Sequence, residues 1–413
     1  MKPLITQTDI FGGIESLLNK YLSANKQFEK IKKVLVTPAK QSVVYKEHNE
    51  QLNALSTSPA DSVRIRNLID RIITFTEKIL PNKKYLELLV ELGKLCSSQG
   101  EHQFAKDIFS NVLYKTAADK QAADLKAYAL IGLAEVASSQ ANWKESFSFA
   151  KTAKTLFQSS NNNKGLGIAE NLLGTNYAER GELSTAQKHF KTGLDLQKKT
   201  KDKFTHAAIL LNLGIISYIE GELKNSHDFY EKALRIFEQL KDSKNIAKTL
   251  HNLGMLYTKL SDYKKALSYY DECIKVSQEA RYFPSLGISF LSKAYILCEQ
   301  NELDSASEFA NKGLEISLII NDRLSIADIY KIKGIIERKK KNYEVAENYF
   351  LSSLRMNIEF DNSLNYAETS YEFGILFNEK GDKKQKEKYL KESLVHFKKI
   401  GAVLEIKKVE SLL

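Results

Sequence analysis

The sequence is poor in residues that interrupt helices or staple loops. Its 413 residues include five prolines, Pro3, Pro38, Pro59, Pro81 and Pro284. Nearly all of the chain therefore lacks the residue that costs a helix interior about 3 kcal/mol, and an all-α reading is favoured. Cysteine is scarcer: Cys96, Cys273 and Cys298 are odd in number, far apart and form no C-x-x-C pair. That argues against a disulfide framework and leaves three reduced, partly buried side chains. No run of about 18 apolar residues occurs. The opening MKPLITQTDIFGG carries no apolar core of leader length. The expectation is a cytoplasmic protein without a membrane span.

Arginine is rare as well. The formal charge is +10, but nine of the 61 basic residues are arginine and the other 52 are lysine. Arginine's planar fork is what reads phosphates and guanines bidentately. The lysine surplus therefore reads as solubility, and nucleic acid is not an expected partner. Catalytic signatures are missing too. There is no G-x-x-x-x-G-K-[ST], H-E-x-x-H or G-x-S-x-G, and no G-x-G-x-x-G after a strand. The seven histidines are scattered without metal-ligand spacing. Neither an enzyme nor a metal or cofactor is expected.

What the sequence does contain is a period. Small residues recur at Gly93, Ala134, Gly174, Gly214, Gly254, Ala294, Gly334 and Gly374, a first step of 41 residues followed by six steps of 40. Seven residues after each anchor come Gly100, Ala141, Gly181, Gly221, Ser261, Asn301, Lys341 and Gly381, and the next residue is always acidic or asparagine. Glycine or asparagine there suits the left-handed conformation that ends a helix. The following acid suits the positive end of the next helix. Twelve residues after the anchor a small residue recurs, as at Ala105, Ser146, Ala186 and Ser226, and four further on usually a ring, as at Phe109, Phe190, Tyr230, Tyr270 and Phe350. Two antiparallel helices approach closely where one presents glycine or alanine, and rings from the other fill the remaining space. Asn162, Asp202, Asp242, Asp322 and Asn362 stand where they can cap the next helix pair.

The stretches AAILLNLGIISYIEGELKNSHDFYEKALRIF and AKTLHNLGMLYTKLSDYKKALSYYDECIKV closely resemble tetratricopeptide repeats. Their 40-residue spacing is similar to the longer-helix subclass that includes kinesin light chains and the bacterial peptide-regulated Rap and NprR proteins. The resemblance covers about residues 84–413. It implies an all-α, right-handed superhelical solenoid of about eight helix–turn–helix units. The expected boundaries are an N-terminal helical segment over 1–80 (a small bundle or degenerate repeat), the array over 81–400, and a capping helix over 401–413. Departures from the pattern are Ala150 and Ala310 where a ring is usual, and Lys386 and Leu390 in the last copy. The tail GAVLEIKKVESLL predicts an amphipathic helix with Val403, Ile406, Val409 and Leu413 on one side. Upstream, Asp9 is placed to cap a helix through IESLLNKYL, helical stretches are expected at FEKIKKVLV and over 39–55, and Ser58-Pro59-Ala60-Asp61 reads as a helix start.

In such arrays the first helices of successive pairs line a concave face. Counting turns from the anchors aims Asn171, Leu211, Asn212, Ile215, Tyr218, His251, Asn252, Met255, Tyr295, Lys331 and Arg338 into it. An amide carries both donor and acceptor, so Asn212 and Asn252 could form two rungs gripping a peptide main chain, or could bond a neighbouring helix. Ile215, Tyr218, Met255 and Tyr295 would add side-chain pockets. The run Arg338-Lys339-Lys340-Lys341 either complements a negative helix end or meets an acidic partner segment. The expected function is therefore a non-enzymatic scaffold or adaptor holding a protein or peptide in the concave groove. The alternative is a peptide-controlled signalling regulator whose N-terminal helices act on a partner protein.

Overall fold

The computed structural model describes residues 8–22, 59–98, 100–280, 282–320 and 322–413. The segments FEKIKKVLV and 39–55 lie outside the described residues. Every regular element among those described is helical. In chain order they are α1 Thr8–Leu22, α2 Pro59–Ile79, α3 Asn82–Ser98, α4 His102–Lys115, a short 3₁₀ turn Lys120–Ala122, α5 Ala123–Ser139, α6 Trp143–Ser159, α7 Asn163–Glu179, α8 Leu183–Thr200, α9 Lys203–Glu220 and α10 Leu223–Leu240. They continue with α11 Ser243–Lys259, α12 Tyr263–Glu279, α13 Phe283–Glu299, α14 Leu303–Ile319, α15 Arg323–Lys339, α16 Tyr343–Glu359, α17 Ser363–Lys380, α18 Lys383–Ile400 and α19 Val403–Glu410. The fold is an all-α solenoid of tetratricopeptide-type helical pairs.

The chain forms two compact units, Met1–Ala169 and Glu170–Leu413, dividing within α7. In the first unit, α1 and α2 pack on α3. Ile14, Leu18 and Leu22 share a core with Ile65, Ile69 and Ile72 and with Leu86, Leu89 and Phe109. Asp9 lies in the first turn of α1 rather than at its cap, because that helix begins at Thr8. Helix α2 begins at Pro59, where a ring-fixed φ and a missing N–H cost nothing. In the second unit, α9/α10, α11/α12, α13/α14, α15/α16 and α17/α18 are antiparallel pairs, and each second helix packs on the first helix of the next pair.

The turn chemistry follows the period closely. All eight residues seven beyond an anchor have positive φ, including the non-glycines Ala141, Ser261, Asn301 and Lys341. Asn162, Asp202, Asp242, Asp322 and Asn362 each accept a bond from the backbone N–H three residues on. Inside the pairs, Asn142, Asp262 and Asp382 cap in the same way, whereas Glu101, Glu182, Glu222 and Glu302 make no side-chain cap bond, nor does Asn342, whose amide donates to Glu337. The longer glutamate overshoots the N–H that the shorter Asn142, Asp262 and Asp382 side chains reach.

Packing within each pair is set by two positions read together. A Cβ built on Gly93, Gly174, Gly214 or Gly334 would fall 2.5–2.6 Å from a ring carbon of Phe109, Phe190, Tyr230 or Phe350 respectively. In two of the three copies without the ring the anchor is alanine, Ala134 with Ala150 and Ala294 with Ala310, all four with no exposed surface; in the last copy Gly374 meets Leu390 instead. Glycine goes with a ring or, in the last copy, with leucine, and alanine with alanine, so a large side chain always meets glycine and a small one meets alanine. Serine replaces alanine twelve residues on without cost because Ser146 donates to the Ala134 carbonyl at 2.8 Å and Ser226 to that of Gly214 at 2.9 Å.

Candidate functional site

In the second unit the first helices of consecutive pairs touch one another, α9 with α11, α11 with α13, α13 with α15 and α15 with α17. The side these first helices share is the candidate inner face. Six of the eleven residues aimed there by sequence are half-buried on these helices: Asn212, Ile215, Tyr218, Asn252, Met255 and Tyr295. Burial pushes the Tyr218 hydroxyl pKa well up, with Glu368 adding to it. Tyr295 moves the same way, through burial first and then Glu372 and Glu299. Both phenols stay neutral, each with one donor and one acceptor to offer.

The two asparagine rungs are not equivalent. Asn212 Nδ2 donates to Asn171 Oδ1 at 2.9 Å and to Thr175 Oγ1 at 3.2 Å, tying α9 to α7 within the second unit. Asn252 makes no hydrogen bond with the described residues. The reason lies one repeat back, where Leu211 and Ile215 occupy the places that Asn171 and Thr175 hold for Asn212.

The other residues are engaged internally. Leu211 sits in the core with Leu210, Tyr230, Phe237 and Leu253, so it is out of a guest's reach. Lys331 is buried, with Nζ 3.0 Å from Asp328 Oδ1, 2.8 Å from Asn365 Oδ1, and bonded to Glu368. Burial pulls its pKa down, but Asp328 and Glu368 outweigh that and raise it, so it is a fixed cation. Arg338 Nη2 donates to Glu372 at 3.0 Å and Nη1 to Glu379. Lys339 reaches the Cys298 carbonyl at 2.7 Å and Lys340 reaches Asp304 at 3.0 Å. Arg338, Lys339 and Lys340 therefore meet acids and a carbonyl of their own chain, while Lys341 is exposed.

His251 is buried beneath the face, its Nδ1 3.2 Å from Ser289 Oγ, which donates to Cys273 Sγ at 3.1 Å. Burial pushes its pKa down to about 4. The unfolded imidazole takes a proton near its ordinary value of about 6.5, whereas the folded one stays neutral well below it. The associated stability is complete above about pH 6.5 and lost as the pH falls toward 4. Between pH 7 and 5 the loss from this group is about 2 kcal/mol. Urea unfolding of wild type and His251→Gln at both pH values checks this, and an equal pH slope in the two proteins refutes it.

Sequence counting missed much of the inner charge. Continuing the column two residues before each anchor, past Asn212 and Asn252, leads to Glu372, and the column five residues after gives Glu179, Lys259, Glu299, Lys339 and Glu379. Glu179 and Asp328 have raised pKa values, through burial first; repulsion from Asp328 adds to the rise at Glu179, and at Asp328 Lys331 opposes the rise while Glu368 adds to it.

Residues early in the second unit also touch residues near its end. At the start of the second unit, Arg180 Nε lies 3.4 Å from Asp361 Oδ2, and Gly181 is pressed against Ile400. Lys259 Nζ bonds Glu405 Oε1 of α19 at 2.7 Å. Helix α19 buries Val409, while Val403 and Leu413, expected on the same side, are about half exposed. The reason is that Ala402, Ile406 and Leu412 join Val409 against α17 and α18 instead. Among the described residues, no group of three His, Cys, Asp or Glu side chains is placed to hold a metal ion. None of the described helices is long and apolar enough to cross a membrane.

Residues 205–279 match the tetratricopeptide repeat family model. No curated protein sequence matches the chain. Among solved structures, the Rap conjugation gene regulator of plasmid pLS20, in complex with the Phr* peptide, aligns with a TM-score of 0.61 at 17% identity, covering 96% of this chain and 98% of that one. A Rap protein complexed with competence and sporulation factor aligns at 0.59 and 16% identity, over 85% of this chain and 96% of that one. Aspartyl phosphate phosphatase F from Bacillus subtilis aligns at 0.51 and 17% identity, over 86% and 96%. At these identities the likeness is one of fold.

Proposed function

We propose that this tetratricopeptide-type array is a binding scaffold that takes an extended peptide or partner segment along the inner face of its second unit. The observation that carries the reading is Asn252, a half-exposed amide without a partner among the described residues, flanked on the same face by Tyr218, Met255 and Tyr295. An amide pairs with a peptide main chain through donor and acceptor together, and the neighbouring thioether and rings supply adaptable apolar contact. Asn212, Lys331 and Arg338 hold successive repeats to one another and set the shape of that face. The role is binding rather than catalysis. One of the similar folds was solved with a peptide bound and another with competence and sporulation factor, which supports a peptide as occupant and, as a second reading, a regulator whose helices in residues 1–80 act on a partner under peptide control.

The test begins with the protein isolated under native conditions from its own cells, with co-purifying peptides and proteins released and identified by mass spectrometry. Fluorescence titration of the captured partner then compares wild type with Asn252→Ala. Loss of one amide contact to a buried partner backbone weakens binding by about 1–2 kcal/mol, with the helical signal unchanged. Equal affinities would take Asn252 out of the site.

A further inference from the structure

A capping helix has to cover only the last pair of a solenoid. Helix α19 does that through Val409, but it also touches α9, several repeats upstream. There the contact is chemically specific. Lys259 Nζ, with its side chain 12% exposed, donates to Glu405 Oε1 at 2.7 Å and to the Tyr218 carbonyl at 3.2 Å. The same ammonium stands 4.4 Å from the centroid of the Tyr218 ring. Leu404 lies over Gly221, where an added Cβ would be 2.9 Å from its Cγ, and Ile219 joins the apolar cluster of Ile400, Ala402 and Val409. Together a held ammonium, a ring, an open glycine backbone and an apolar floor form a seat for a short segment bearing one carboxylate.

The present occupant fits that seat imperfectly. Glu405 Oε2 is buried without a hydrogen-bond partner, although a carboxylate normally satisfies both oxygens when shielded from water. Helix α19 has eight residues, too few to persist without tertiary contacts. Such a segment can leave while the pairs beneath it stay folded.

We propose that Lys259, Tyr218 and Gly221 form a recognition subsite for an amphipathic peptide segment carrying an acidic side chain, and that α19 occupies it as an internal substitute. This rests on the peptide-binding reading and adds the chemistry of one end of the ligand. It also makes entry competitive: the ligand's carboxylate takes Lys259 as Glu405 leaves.

The experiment uses the full chain and, as probe, a fluorescein-labelled synthetic peptide of residues 402–413 with an amidated C-terminus. In wild type the seat is filled and the probe binds poorly. Glu405→Lys repels α19 from Lys259, so amide exchange over 215–221 and 403–410 accelerates and the probe binds about tenfold more tightly. A probe carrying Glu405→Gln loses about that tenfold. The double variant Lys259→Glu/Glu405→Lys restores slow exchange and rejects the probe. If Glu405→Lys lowers the helical signal, Glu405→Gln takes its place with a smaller gain, about threefold. Wild-type exchange protection in Glu405→Lys would overturn the proposal. So would fast exchange without any gain in probe binding, which makes α19 a structural cap only. In either case the Asn252 titration still decides the wider reading separately.

Discussion

Phe350→Ala destabilises the second unit by about 3–5 kcal/mol, the cost of removing a fully packed ring that its surroundings cannot refill. Phe350 has no exposed surface, its ring lies 5.5 Å from that of Phe373, and its edge rests on Gly334. The opposite error is also costly. Gly334→Ala places a methyl 2.6 Å from the ring, which forces a shift worth about 1–3 kcal/mol. Combined, the two changes cost less than their sum by at least about 1 kcal/mol, because each relieves the other. Amide exchange in α15, α16 and α17 reads the effect locally, which matters because a repeat array need not unfold in one step. Strict additivity would show that ring and glycine do not share one space.

Lys331→Met costs about 2–3 kcal/mol. Removing one partner of a buried ion pair costs about 3–5 kcal/mol when the other is left dry. Here the Asp328 and Glu368 side chains are 40% and 42% exposed, so water relieves part of the charge and the lower figure applies. The pH dependence follows from Asp328. Burial already raises its pKa, and Lys331 is the main influence holding it down. Without the lysine the folded carboxyl binds its proton more tightly than the unfolded one. Stability then rises as the pH falls, and the deficit is smaller at pH 5 than at pH 7. Urea midpoints at the two pH values decide it, and a deficit that grows on acidification would be the wrong sign.

The fold was legible because its determinants are local and repeated. The small residue, the turn residue with its acid, and the ring recur every 40 residues, and each acts within a single pair of helices. The inner face was legible only in part. Asn212 and Asn252 occupy equal places in the period, yet their fates differ through Asn171 and Leu211 in the preceding repeat, so a column read alone misleads. The engagement of Lys331 and Arg338 needed the following repeat, where Glu368, Glu372 and Glu379 stand. The meeting of Lys259 with Glu405 was beyond any column. It depends on small rotations accumulated over several pairs, and no single repeat encodes it.

The pairing of glycine with a ring and alanine with alanine has a consequence for how such an array can change. A lone exchange at either place produces a hollow or a collision, so an intermediate with one partner altered is penalised whichever comes first. Moving α13 into the setting of α15 would bring Ala294 against Phe350, and the reverse graft would set Gly334 beside Ala310. These units look like copies but cannot be shuffled one helix at a time. What can be moved between them is the whole hairpin, with both halves of its fit intact.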